Sequence, residues 1–173
     1  MLTAILKLLA AIFVVLAISG LAVGWTNRGK RDVLGWIWNA ETIPTNFFVA
    51  LFTSAVAPGA DTNTKSELTE IANGNGYTTG GIQLTKNTTD YDVITQDDTN
   101  DRGLIQIKDL VWTASSGPIP VSGGGARYAA HTDDNGTQGS REVYHYWDLV
   151  SDRSVSDGQT LTLQNCEVRI NES

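Results

Sequence analysis

The sequence Asn46-Phe-Phe-Val-Ala-Leu-Phe-Thr53 is the clearest fold signal in this chain. It has the aromatic and β-branched content, and the length, of a buried strand. Pro44 favours an extended backbone just before it. The run Pro58-Gly59-Ala60-Asp61 after it is typical of a strand end. We therefore predict a buried β-strand over residues 46–53.

Further segments with strand composition follow this strand. They cover residues 77–84, 91–95, 103–112, 126–132, 142–149 and 160–170. Period-two alternation is visible in several, so that Ile105 and Ile107, for example, fall on one face. Clusters of Gly, Asn, Asp and Ser separate them, as turns require. The pattern predicts a mainly β fold, an antiparallel β-sandwich or barrel-like domain over residues 44–173.

A short amphipathic helix is predicted before the β domain. Thr26 or Asn27 can cap its first turn. We expect the helix to end near residues 39–42, so that residues 26–43 form a helix and a linker. Its apolar positions form one stripe, made of Val33, Leu34, Ile37 and Trp38.

Residues 2–25 form an apolar run in which Lys7 is the only charge. We predict a long apolar N-terminal α-helix over residues 1–25 that serves as an anchor or assembly segment. Three interpretations stay open: a secretory signal, a membrane anchor about as long as the ~30 Å bilayer core, and a helix buried among copies of itself. The candidate assembly or anchor residues are Leu6, Leu9, Phe13, Leu16, Leu21 and Trp25.

The net charge of −7 comes from 19 acidic and 12 basic residues. This balance argues against a nucleic-acid partner, which requires a concentrated positive surface. Cys166 is the only cysteine, and with His131 and His145 alone there is no convincing zinc set. We predict neither a metal nor a cofactor.

Other motifs could indicate a chemical function, but each also has a simpler structural explanation. The glycine-rich run over residues 122–127 lacks the lysine and spacing of a phosphate loop, and a loop between strands explains it. The oxygen-rich runs 97–101 and 133–135 could hold calcium, but Arg102 occupies a ligand position in the first, and solvated turns are favoured. His145 lies among aromatic residues, which favours packing, and no nucleophile signature is present. We predict no catalytic residues and no enzyme activity.

Short runs spread over residues 26–163 carry a resemblance to a known group of proteins. They are Thr26-Asn-Arg-Gly-Lys30, Pro44-Thr-Asn-Phe-Phe-Val-Ala-Leu-Phe-Thr-Ser54, Gly74-Asn-Gly-Tyr-Thr-Thr-Gly-Gly81, Val111-Trp-Thr-Ala114, residues 123–128, Tyr146-Trp-Asp-Leu149 and Val155-Ser-Asp-Gly-Gln-Thr-Leu-Thr-Leu163. Together they resemble minor structural proteins of tailed bacteriophages over about residues 26–170. The resemblance implies a β-rich virion component of the tail-fibre or head-decoration kind, present in many copies. The apolar run before Thr26 departs from that pattern and suggests an anchor embedded in a virion or a membrane.

The sequence therefore predicts a non-enzymatic phage virion structural protein: a capsid decoration, head fibre or tail component. We expect it to assemble through its N-terminal helix, with itself and other virion proteins as partners. An alternative is a membrane-anchored or filament-forming, pilin-like surface protein of the cell envelope or an extracellular filament, with a membrane contact through residues 2–24. A receptor or carbohydrate-binding module is a further alternative, although Trp112 and Trp147 lie in predicted strands where core packing is favoured.

Overall fold

A computed structural model describes residues 15–16 and 23–171 of the chain. This part contains the helix α1 (Asn27–Trp38) and two 3₁₀ turns, Lys65–Glu67 and Gln138–Ser140. Its strands are β1 (Val15–Leu16), β2 (Val23–Trp25), β3 (Asn46–Phe52), β4 (Ile82–Thr85), β5 (Val93–Asp97), β6 (Arg102–Ile107), β7 (Leu110–Thr113), β8 (Ala126–Thr132), β9 (Val143–Arg153), β10 (Thr160–Leu163) and β11 (Cys166–Asn171).

The largest sheet is antiparallel throughout, with the order β2-β9-β8-β3-β4. Strand β3 is the segment predicted from residues 46–53, and that prediction is confirmed. Its residues Val49, Ala50, Leu51 and Phe52 are fully buried. They are covered on both faces, which explains why the sequence of β3 is almost continuously apolar.

A long two-stranded ribbon forms the second layer. Strands β6 and β7 run antiparallel to β11 and β10, from Arg102 opposite Asn171 to Thr113 opposite Thr160. Strand β5 extends the β6 half of the ribbon, and β1 pairs in parallel with β10. The predicted strands 103–112 and 160–170 are thus each divided into two shorter strands.

The main core lies where the ribbon meets the large sheet. It combines sheet residues such as Leu51 and Trp147 with ribbon residues such as Ile107, Trp112 and Leu163. The mainly β character and the antiparallel pairing agree with the prediction.

The predicted long apolar N-terminal helix is wrong. Val15–Leu16 pairs with β10 and Val23–Trp25 pairs with β9, so both segments are strands. An apolar composition indicates burial, but it does not by itself distinguish a helix from a strand. Here the open edges of β10 and β9 supply hydrogen-bonding partners for the backbone of these residues. Within the described residues, α1 is the only α-helix, and no helix is long and apolar enough to cross a membrane.

Candidate functional site: an apolar cleft beside helix α1

Helix α1 is fixed to the backbone of β9 at its first turn. The Thr26 hydroxyl accepts the Gly29 N–H at 2.9 Å and donates to the Val143 carbonyl at 2.5 Å. The Thr26 N–H donates to the Tyr144 carbonyl at 3.1 Å. The cap predicted at Thr26 is therefore confirmed. A Cβ on Gly29 would lie 2.3 Å from the Tyr144 oxygen, so glycine is required for this close approach.

The side of α1 that faces the domain carries a buried carboxylate as well as the partly buried Trp36. Asp32 is buried and accepts hydrogen bonds from Arg28 at 2.9 Å and from Arg31 at 2.7 Å. Arg28 also pairs with Glu142, which directly precedes β9. Arg31 reaches across to Glu41, which lies beyond the C-terminal end of the helix. Of these ion pairs, only Arg28–Glu142 joins α1 to a distant part of the chain.

The predicted apolar stripe of α1 lies largely in solvent. Leu34 is 55% exposed, Ile37 62% and Trp38 74%. A stripe of this kind on a surface helix normally faces the core. These three exposed residues form an apolar surface on α1, which we call the helix stripe.

An apolar cleft of about 490 Å³ adjoins this surface. Helix α1, the large sheet and the ribbon each supply one wall, and the chain before Tyr91 closes the rim. The lining residues are Trp25, Val33, Trp36, Ile43, Phe47, Lys86, Asn87, Thr88, Tyr91, Ile94, Ile105, His131, Tyr144 and Val168. Its volume and predominantly apolar lining are typical of binding sites.

The ribbon wall of the cleft is a row of three branched aliphatic side chains. Ile94 of β5 is paired with Ile105 of β6, which is paired with Val168 of β11. Because directly opposed residues on neighbouring strands point to the same face, the three side chains form one continuous surface. Ile94 lies at the mouth of the cleft and is 81% exposed.

The walls from α1 and the large sheet together form one aromatic wall opposite the ribbon. The Phe47 ring stacks on His131 with 4.9 Å between centroids. Trp36 of α1 makes edge-to-face contacts with Tyr144 at 5.4 Å and with Phe47 at 6.1 Å. Such contacts fix ring orientations. This wall is therefore formed before any partner binds.

A hydrogen bond joins two of the titratable rings in the cleft. The Tyr91 hydroxyl lies 2.8 Å from Nε2 of His131. Burial lowers the pKa of His131 to about 4 and raises the pKa of Tyr91 above its usual value. Both rings are neutral at neutral pH, and each satisfies the other. They form a neutral polar pair within an apolar wall.

His145 lies behind the cleft and makes aromatic contacts. Its ring is 5.5 Å from Trp25 and 4.8 Å from Trp147, measured between centroids. Neither nitrogen has a hydrogen-bond partner in the part of the chain that the structure describes. Burial lowers the pKa of His145 to about 3, so the buried ring is neutral. An uncharged histidine without an orienting carboxylate is packed as an aromatic side chain.

The structure describes two of the six assembly or anchor residues that were predicted from the sequence, Leu16 and Trp25. Trp25 lines the cleft, and its indole N–H donates to the Arg169 carbonyl. Leu16 is paired with Leu163 in the ribbon. Leu6, Leu9, Phe13 and Leu21 lie outside the described residues. The structure thus places Trp25 in the candidate site.

Most residues of the cleft were not singled out from the sequence. They come from segments far apart in the chain, and no local spacing connects Phe47, Ile94 and Val168. The one available signal was the stripe of α1, which continues into the cleft through Val33.

The other candidate motifs do not form a site. Asp97 is held by Asn100 and Arg102, which lower its pKa, so its carboxylate is already engaged. No cluster of three or more His, Cys, Asp or Glu side chains suited to a metal occurs among residues 15–16 and 23–171. Trp112 and Trp147 are buried in the core rather than displayed for a glycan.

Comparison with known proteins gives no assignment. No family model matches the chain, and no curated protein or solved structure is significantly similar to it.

Proposed function

We propose that this chain is a non-enzymatic structural subunit of a tailed-phage virion, a capsid decoration, head fibre or tail component that associates with copies of itself and with other virion proteins. The observation that carries the self-association is the apolar surface made of the helix stripe and the adjoining cleft. The virion assignment rests on the resemblance over about residues 26–170.

The helix stripe has the composition of a protein-binding surface. Monomeric proteins rarely display large contiguous apolar patches, and such patches mark interaction sites. Trp38 is the most exposed of the three side chains, and tryptophan is among the residues that contribute most to binding energy at interfaces. A second copy of the chain would remove this surface from water.

The charges around α1 favour a protein partner over a nucleic acid. Arg28 and Arg31 belong to the one basic cluster that the sequence contains. Both are paired with carboxylates, those of Asp32, Glu41 and Glu142. They therefore offer little positive charge to phosphate groups.

The lining of the cleft favours apolar side chains over a small polar substrate. Its polar rings, Tyr91 and His131, are hydrogen-bonded to each other. A sugar or a charged metabolite would lose its hydration without finding enough replacement hydrogen bonds. Apolar side chains of a protein have no hydrogen bonds with water to lose on entry.

Immunogold electron microscopy of the native source material tests the virion assignment. We expect an antibody against residues 26–173 to label DNA-filled particles and to show which part of the particle carries the subunit. Antibody absorbed with the purified protein is the control. Label confined to cell envelopes or filaments would contradict the virion assignment and support the surface-protein alternative.

Replacing Ile37 and Trp38 together by serine is expected to weaken self-association at least tenfold, because the pair supplies the most exposed apolar area of the helix stripe. Removal of a single interface hot spot costs about 2 kcal/mol or more, which corresponds to more than a tenfold change in affinity. Sedimentation velocity at micromolar concentrations measures the effect. Val111→Ser is the matched control, since Val111 is 50% exposed on β7, which contributes nothing to the cleft. Equal association of both variants would exclude the helix stripe as the interface.

A further inference from the structure

We propose that the cleft receives the apolar residues 2–14 of a neighbouring copy of the same chain. This inference rests on the self-association proposed above and names the segment that enters the site. The occupant is thus a chain segment exchanged between subunits, and each subunit is both a donor and an acceptor.

The chemistry of the cleft calls for an apolar occupant with several side chains. One wall is the row Ile94, Ile105 and Val168, and the facing wall contains Trp36 and Phe47. A volume of about 490 Å³ is that of a site for a drug-sized ligand, larger than one side chain requires. Several consecutive aliphatic residues would fill it and would gain about 25 cal/mol for each Å² of apolar surface buried.

Residues 2–14 have the matching composition. Among them only Thr3 and Lys7 are polar, and there is no acidic residue. Fully extended, this segment spans about 45 Å. A compact domain of this size has a radius of gyration of about 15 Å, so the segment is long enough to reach a neighbouring subunit.

The direction of β1 argues for exchange between subunits. Val15 is opposite Thr162 and Leu16 is opposite Leu163, in parallel. Strand β1 therefore runs from the Thr160 end of the ribbon towards the half that carries the cleft residue Val168. The segment that precedes Val15 is thus attached at the half of the ribbon remote from the cleft, and the proposal places it in a neighbour's cleft.

Disulfide trapping between two full-length variants tests the inference. One variant carries Ala11→Cys in the segment, and the other carries Ile94→Cys at the cleft mouth together with a size tag. The native Cys166 does not compete, because it is buried and burial raises the pKa of its thiol to about 12. After mixing and mild oxidation we expect a mixed disulfide dimer, at least tenfold more abundant than with Ser66→Cys as the acceptor. Ser66 is exposed and lies outside the cleft.

Additional variants and measurements distinguish the possible outcomes of this experiment. Ile43→Cys, also exposed and in the cleft lining, replaces Ile94→Cys if that variant does not fold. A chain carrying both Ala11→Cys and Ile94→Cys that closes only within itself would overturn exchange. Oligomers in sedimentation velocity without the mixed disulfide would overturn the inference and leave self-association standing. A monomer at all concentrations would overturn self-association itself.

Discussion

Replacing Glu70 by alanine is expected to lower the free energy of unfolding by about 3 to 5 kcal/mol, because it removes one partner of a buried ion pair. The Lys65 ammonium lies 2.5 Å from the Glu70 carboxylate, and the two side chains are only 6% and 12% exposed. The same carboxylate accepts the Tyr77 hydroxyl at 2.7 Å and the Gly80 N–H at 2.6 Å. The substitution would leave a lysine charge and two further donors buried without their acceptor.

Urea denaturation followed by tryptophan fluorescence measures this loss. Glu67→Ala is the matched control, since the Glu67 carboxylate is exposed and accepts only nearby groups such as the Thr64 N–H at 2.8 Å. We expect that control to lose about 1 kcal/mol, the usual value for a helix cap. Lys65→Ala should be less damaging than Glu70→Ala, because the Glu70 carboxylate keeps the Tyr77 and Gly80 donors. A double variant should be less damaging than the sum of the two single variants. Equal losses in the free energy of unfolding for Glu70→Ala and Glu67→Ala would contradict the prediction that the buried ion pair stabilises the fold.

Lowering the pH from 7 to 4 is expected to destabilise the fold by several kcal/mol. The pKa values of His131 and His145 fall from the ordinary value of 6.5 to about 4 and about 3, because burial disfavours the charged rings. Between pH 6.5 and 4 the unfolded chain therefore binds more protons than the folded chain, and stability falls as the pH falls. Each histidine accounts for about 3 kcal/mol by pH 4.

Denaturation curves recorded at pH 7, 6, 5 and 4 test the histidine effect. His145→Phe removes one titrating ring and keeps an aromatic side chain beside Trp25 and Trp147. We expect this variant to lose about half as much stability as the wild type over the same range. Tyr146→Phe on the same strand is the control and should retain the full loss. If the His145→Phe variant kept the wild-type pH dependence, protonation of His145 would not be a cause of the loss of stability.

The elements that the sequence predicted well are those with local causes. Strand β3 is apolar along its length, and Thr26 caps α1 through contacts only three residues away. Most strand segments of the β domain were found because turn residues separate them. The segment predicted over residues 77–84 is a strand only from Ile82, and the ribbon strands are divided at Lys108–Asp109 and Gln164–Asn165. Hydrophobic periodicity and helix capping depend on residues that are close in the sequence, so they can be predicted without knowledge of the fold.

The N-terminal prediction failed because apolar character alone does not choose the element. Residues 15–16 and 23–25 became strands where β10 and β9 present open edges. Those edges are formed by residues more than 100 positions further along the chain, and a local pattern does not contain them. Non-local pairing therefore decided between helix and strand.

By itself the sequence determined a mainly β, acidic domain with a capped helix before it, since composition, alternation and turn residues act over short distances. The tertiary structure alone decided that the helix stripe faces solvent, because the contacts of Thr26 and Gly29 with β9 fix which side of α1 lies against the domain. It alone also formed the cleft, since its three walls come from segments that only folding brings together. A binding surface built from long-range contacts leaves no pattern in the order of the residues.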